Sequence, residues 1–199
     1  PEDVPINLLA DFGIVADLME RIADFQPPKA AVDGFAKVVD RPANAAADGV
    51  YCWFAKPKGK QFVKREKVSN SRNDIHLYKV LAPKSPIAGQ TDFNKDITIF
   101  NDNNIFIIDP NEVCSQTYLV INSFNEKELA ENFIKYMKTK FFRYMLRMRM
   151  VSQDASKETY SFVPDMKDYS KVWTDKELYK KFELDEKEIE YIESKIKEI

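Results

Sequence analysis

The stretch "KPKGKQFVKREKVSN", residues 56–70, crowds Lys56, Lys58, Lys60, Lys64, Arg65 and Lys67 against a single acid, Glu66. Extended to residue 84, it holds nine bases against Glu66 and Asp74, a balance of +7. Ammonium and guanidinium groups at this density suit a polyanion, because they neutralise phosphates and release counterions. Asn70, Arg72 and Asn73 follow with groups that hydrogen-bond base edges or phosphate oxygens. A second block, Lys135, Lys138, Lys140, Arg143, Arg147 and Arg149, contains no acid between Asn132 and Gln153. Arg143 and Arg147 join the first block as candidate phosphate contacts. Taken by itself, the run at 56–70 marks an exposed hairpin whose lysines keep an edge strand soluble, so a nucleic-acid reading needs further support.

Residues able to break covalent bonds are scarce. The lone histidine, His76, sits in the strand-like "IHLYKVL" and reads as structural, leaving no base for a hydrolytic nucleophile. Cys52 and Cys114 are far apart and outside any metal-ligand spacing, so they read as reduced core thiols. The five glycines form neither a phosphate loop nor a dinucleotide fingerprint. One nuclease pattern can be assembled, with Asp165 and the Glu193/Lys195 pair holding Mg²⁺ and activating water. Glu193 and Lys195 fall on an expected helix, however, where i and i+2 point to different sides.

The elements that must position these groups follow from periodicity. "LLADFGIVADLMERIADF" spaces its apolar residues for an N-terminal amphipathic helix ended by Pro27 and Pro28. Residues 29–50 show no steady period and read as a loop with one short strand. From 50 to 122, "VYCWF", "QFV", "HLYKVL", "ITIF", "IFII" and "TYLVI" are short and rich in β-branched and aromatic residues, as strands are. "NDNN" between the fourth and fifth predicts a hairpin turn. Ser123 with Glu126 forms a capping-box pattern opening one long helix to about residue 150. Its stripe of Leu129, Phe133, Met137, Phe141, Tyr144, Met145 and Met148 faces the core, with methionines as filler and late cations complementing the helix dipole. Thr174 with Glu177 and Asp185 with Glu188 predict two shorter helices. The expected class is α+β: a mixed or antiparallel sheet core of short strands, an N-terminal helix, a long central helix and a small C-terminal helical segment. We divide it into an α/β domain over 1–150 and a helical appendage over 151–199 that packs on it.

Composition narrows the setting. The chain has 199 residues, 44% hydrophobic and 31% charged, enough for a sizeable core. Apolar runs fall short of the roughly 20 residues that cross a bilayer, and no secretory signal opens the chain, so the expectation is a cytoplasmic protein without a membrane partner. Residues 1–48 hold nine acids against four bases and should not seek phosphate. A start at Pro1 suggests an excised piece of a longer protein.

Beyond these patterns, "EVCSQTYLVINSFNEKELAENFIKYMKTKFFRYML" at 112–146 and "YSFVPDMKDYSKVWTDKELYKKFELDEKEIEYIESKI" at 160–196 resemble the C-terminal end of large adenine-specific DNA methyltransferases of bacterial restriction-modification systems. The resemblance includes type II restriction enzymes that fuse methylation and cleavage. It is close over 112–199 and patchy over 60–111, where "LYKVLAPK" at 77–84 shares it. It implies a target recognition domain, the part that reads DNA sequence for a separate methylating domain. That family's catalytic half carries a glycine-rich loop for S-adenosylmethionine and an Asn/Asp-Pro-Pro-aromatic loop for the flipped adenine. "QPPK" at 26–29 lacks the polar and aromatic residues of the latter. The chain is therefore expected to bind double-stranded DNA, to hold no cofactor and to be no enzyme by itself. S-adenosylmethionine, and Mg²⁺ if the parent cleaves, would belong to the full-length polypeptide, whose methyltransferase domain would be its partner. The alternatives are a Mg²⁺-dependent nuclease using Asp165 and Glu193, or a module that docks on the catalytic domain through Arg143 and Arg147 without reading bases.

Overall fold

A computed structural model describes residues 32–33, 49–56, 58–68, 74–87, 98–100, 103–150 and 152–199. The strands are β1 (Val32–Asp33), β2 (Gly49–Trp53), β3 (Lys60–Lys64), β4 (Tyr78–Pro83), β5 (Phe106–Ile108), β6 (Val113–Cys114) and β7 (Tyr118–Phe124). The helices are α1 (Lys127–Lys138), α2 (Lys140–Arg149), α3 (Asp175–Lys181) and α4 (Glu186–Lys195), with 3₁₀ turns at Arg65–Lys67 and Glu158–Phe162. The fold is α+β.

Strands order as β1-β7-β4-β5 in one sheet and β3-β2-β6 in the other. The first is antiparallel throughout; in the second, β2 pairs antiparallel with β3 and parallel with β6. Successive strand residues point to opposite faces, and here both faces of the four-stranded sheet are covered. Val80 and Ala82 of β4 and Leu119 and Ile121 of β7 join a core with α1, α2 and the C-terminal segment. Leu81, Ile108 and Val120 point the other way and pack with Val50, Cys52, Val63 and Val113 of the second sheet. That double burial is why "YKVLAP" and "YLVI" read as nearly unbroken apolar runs rather than alternating ones.

The helical layer is continuous across residue 150. Met145, Leu146 and Met148 of α2 share one cluster with Ala155, Tyr160, Trp173, Leu178, Ile192 and Ile196. At roughly 25 cal/mol per Å² of apolar surface buried, a side chain such as Leu178 contributes about 2 kcal/mol relative to an exposed one. The chain beyond 150 thus supplies one wall of the main core. Both predicted capping boxes are present: Thr174 with Glu177 opens α3, and Asp185 with Glu188 opens α4.

Four sequence expectations are corrected. The long helix is two helices, broken at Thr139, whose extended backbone (φ −60, ψ 150) ends α1 and opens α2. Ser123 is not a helix cap, because β7 runs on to Phe124 and the Ser123 hydroxyl donates to Asp74 at 2.9 Å; Glu126 stands at the helix start without a side-chain cap. Thr98–Phe100, the described part of "ITIF", is not a strand, and β5 pairs with β4 instead of closing a hairpin across "NDNN". His76 is exposed in a turn that precedes β4. The N-terminal helix expected before Pro27 lies outside the described residues.

Candidate nucleic-acid interface

The first basic block is built on the β2–β3 hairpin. Val50 pairs with Val63, Tyr51 with Phe62, and Trp53 with Lys60. Val50, Cys52 and Val63 turn into the core, so the alternate residues Tyr51, Phe62, Lys60 and Lys64 face outward. The connection closes with Lys58 N–H donating to the Ala55 carbonyl at 3.1 Å and Phe54 N–H to Gly59 at 2.9 Å. Gly59 adopts φ +65, a left-handed conformation that a side chain disfavours, and this return geometry sets Lys56 and Lys58 at the exposed tip. Lys64, Arg65 and Lys67 are exposed at the opposite end, where the strand passes into its 3₁₀ turn.

Between the two cationic ends lies an aromatic strip. The Tyr51 and Phe62 rings sit 3.9 Å apart between centroids, tilted by 38°. The Lys60 ammonium lies 4.4 Å from the Tyr51 centroid and 5.3 Å from that of Trp53. It also forms an ion pair with Glu112, which accepts a hydrogen bond from Trp53 Nε1 at 2.7 Å. Lys60 is therefore an organiser of the strip with its charge locally balanced, whereas Lys64 pairs with the exposed Glu66 at 3.9 Å, a weak surface pair. The aromatic row continues through Trp53 to Phe106 at 5.0 Å and Phe106 to Tyr118 at 5.3 Å. Beside the hairpin tip, Ala55, Pro83, Lys84, Gln116, Thr117 and Asp154 line an open cleft of about 570 Å³.

The second basic block has a different environment. Arg143 is 1% exposed, which removes it from the candidate phosphate contacts. Its Nε donates to the carbonyls of Lys138 at 3.1 Å and Thr139 at 3.3 Å, and its Nη1 to that of Lys197 at 2.6 Å. Burial pulls its pKa down, with Asp175, Glu198 and Glu193 acting in opposition. Lys140 pairs with Glu193, and with Glu198 at 2.7 Å, and both bonds hold its pKa up. Arg147 is half-buried, Lys135 is exposed, and Arg149 is exposed over the Phe162 ring at 5.5 Å. Arg143 and Lys140 consequently close the helical layer from within. Asn70, Arg72 and Asn73 lie outside the described residues.

The groups proposed for hydrolysis sit in separate networks. Asp165 accepts from the Tyr169 hydroxyl at 2.9 Å and the Lys167 amide at 3.0 Å. Glu193 holds Lys140 and accepts from the Tyr179 hydroxyl at 2.9 Å. Among the described residues, no group of three or more His, Cys, Asp or Glu side chains could hold a metal ion. Cys52 and Cys114 are free and buried, and burial pushes the Cys52 thiol up to about 12, so it is inert as a nucleophile at neutral pH. Among the described residues, no helix is long and apolar enough to cross a membrane.

The residues that the charge pattern missed are Tyr51, Phe62 and Glu112. The alternation in "GVYCW" and "KQFVK" carries a signal for the two rings, since each stands one position from a core residue. Nothing local marks Glu112, which reaches Trp53 from 59 residues away. Comparison of the chain with protein-family models, curated proteins and solved structures found no match.

Proposed function

We propose that this chain is the DNA-reading part of a restriction-modification adenine-specific DNA methyltransferase, a target recognition domain that acts with a separate methylating domain of the same polypeptide. The supporting observation is the hairpin itself: Lys56, Lys58, Lys64, Arg65 and Lys67 are all exposed and sit at the two ends of one β-ribbon. The two hairpin strands, with the two-residue β6 on the other side of β2, form a narrow surface of the kind the major groove of B-form DNA admits, and cations at its ends reach phosphates on either side. Residues 69–73, with Asn70, Arg72 and Asn73, follow directly and bring base-edge donors and acceptors. The resemblance over 112–199 supplies the class of enzyme, and in this reading the methyl donor and any Mg²⁺ are held by the catalytic part. The chain by itself then binds DNA in cytoplasm without transforming it.

The test is a salt titration of duplex binding for the Lys64→Ala/Arg65→Ala double variant. Loss of two phosphate contacts flattens the plot of log affinity against log salt by roughly 1.8, at about 0.9 per contact. An unchanged slope in the double variant overturns the assignment of the hairpin. Selection of bound sequences from a random oligonucleotide pool then separates reading from non-specific attachment, and a consensus is the expected result.

A further inference from the structure

The Tyr51–Phe62 pair is built differently from every other ring contact on this face. Trp53, Phe106 and Tyr118 are half-buried and pack against the smaller core. Tyr51 and Phe62 belong to neither core: they pair with each other across the strands on the outer surface, and Tyr51 is 39% exposed. Folding leaves this apolar surface in water. A cross-strand aromatic pair contributes some stability to a hairpin, and here it also presents part of a tyrosine ring to water.

Its surroundings define the chemistry of an occupant. Lys60 approaches the Tyr51 ring from one side and is anchored by Glu112, so the ring is held in place before any ligand arrives. Exposed Lys58 at the tip and Lys64 and Arg65 beyond the far end bracket the pair with positive charge. On a strand rising about 3.4 Å per residue, Lys60, Phe62 and Lys64 succeed one another on one face at about 7 Å intervals, Lys60 with its charge held by Glu112 and Lys64 with its ammonium exposed. The exposed part of the Tyr51–Phe62 surface, flanked by Lys58, Lys64 and Arg65, matches a nucleotide, whose base stacks on a ring while its neighbouring phosphates are neutralised. A paired base presents only its edge to a protein; its face becomes available when it is unpaired.

We propose that the outer face of the β2–β3 hairpin stacks an unpaired DNA base on Tyr51 and Phe62, so that the protein prefers DNA with locally opened pairs to intact duplex. This rests on the DNA-binding reading above and adds a ligand to the same hairpin.

The experiment compares four fluorescent probes of one sequence: intact duplex, a duplex with a central two-nucleotide mismatch bubble, a single DNA strand, and a single-stranded RNA. Binding is followed by anisotropy for the full chain and for Tyr51→Ala, Phe62→Ala and Tyr51→Phe, with thermal melts confirming that each variant is folded. The expected result is bubble DNA bound about tenfold more tightly than intact duplex. Tyr51→Ala brings the two affinities together, its loss on bubble DNA exceeding its loss on intact duplex about tenfold, while Tyr51→Phe retains the preference. Equal affinity for bubble and duplex, or an equal loss on both in Tyr51→Ala, overturns the stacking site and leaves duplex reading standing. A single-stranded RNA of the same sequence binding more tightly than bubble DNA also overturns it. Failure to bind any of the DNA probes overturns the functional reading together with this one.

Discussion

Residues 56–67 and residues 135–149 each carry six cations, yet they occupy opposite kinds of environment. The first set stands on the β2–β3 hairpin of a three-stranded sheet that has a core on one side only, so alternate residues and both ends of the hairpin meet water. The second lies on two helices packed between the four-stranded sheet and the segment 155–196, where Lys135 and Arg149 are exposed and the other four are half-buried or buried. A cation on a ribbon of this kind is available to a partner. A cation on an enclosed helix must be neutralised by the fold itself, because an unpaired buried charge costs several kcal/mol. The number of cations in the sequence was the same; the number of covered faces separated the outcomes.

Removing Arg143 tests this contrast most severely. Arg143→Ala removes the guanidinium hydrogen bonds to the carbonyls of Lys138, Thr139 and Lys197 and is expected to cost about 3–5 kcal/mol in urea unfolding. Arg143→Lys restores only part of this, since an ammonium cannot reproduce the guanidinium fork. A loss under about 1 kcal/mol would return Arg143 to the surface set.

Lys79 lies between the two regions, fully buried, with Nζ donating to the carbonyls of Ile75 at 2.9 Å and Leu77 at 2.5 Å. Burial lowers its pKa to about 8, against the opposing pull of Asp74, Cys114, Glu112 and Asp109. The folded state therefore binds fewer protons than the unfolded state between pH 8 and 10.5. Stability is reduced by this group below pH 8 and recovers as pH rises through that window, by up to about 3 kcal/mol. Unfolding measured across this range should show the rise, and Lys79→Met should remove it.

Thr139→Ala sharpens the account of the helix break. Thr139 Oγ1 accepts from Phe142 N–H at 3.2 Å and donates to the Tyr136 carbonyl at 2.7 Å, so a cost of about 1 kcal/mol is expected in the same unfolding assay. The smallest stability effect belongs to the hairpin. Lys64→Ala/Arg65→Ala should change unfolding by less than about 0.5 kcal/mol while altering DNA binding, the reverse of Arg143→Ala. A large stability loss in that double variant would dissolve the distinction between the two blocks.

Much of the fold was legible where the determining contacts are local. Both C-terminal capping boxes join residues three apart, and each forms as its spacing predicts. The methionines at 137, 145 and 148 fall in the core, as their helical spacing requires. The Ser123 pattern failed because Asp74, distant in sequence, takes the hydroxyl and the strand runs on. The break at Thr139 has no proline or glycine to announce it. It is sealed from afar: Asp175 accepts from Lys140 N–H at 2.9 Å and Phe141 N–H at 2.8 Å, while Arg143 collects carbonyls at the end of α1. An anion at one helix start and a cation at the other helix end oppose the exposed dipoles of both.

By itself, the amino-acid order determined five of the six expected strands, the two C-terminal capping boxes and which residues carry charge, because those properties depend on neighbours a few residues away. Which charges face water was decided by the tertiary structure alone. Whether Arg143 meets solvent depends on Lys197, and whether Lys60 stands free depends on Glu112, contacts across 54 and 52 residues that exist only after the layers close. Water and low-dielectric interior impose such different energies on a cation that packing, not residue type, settles its role.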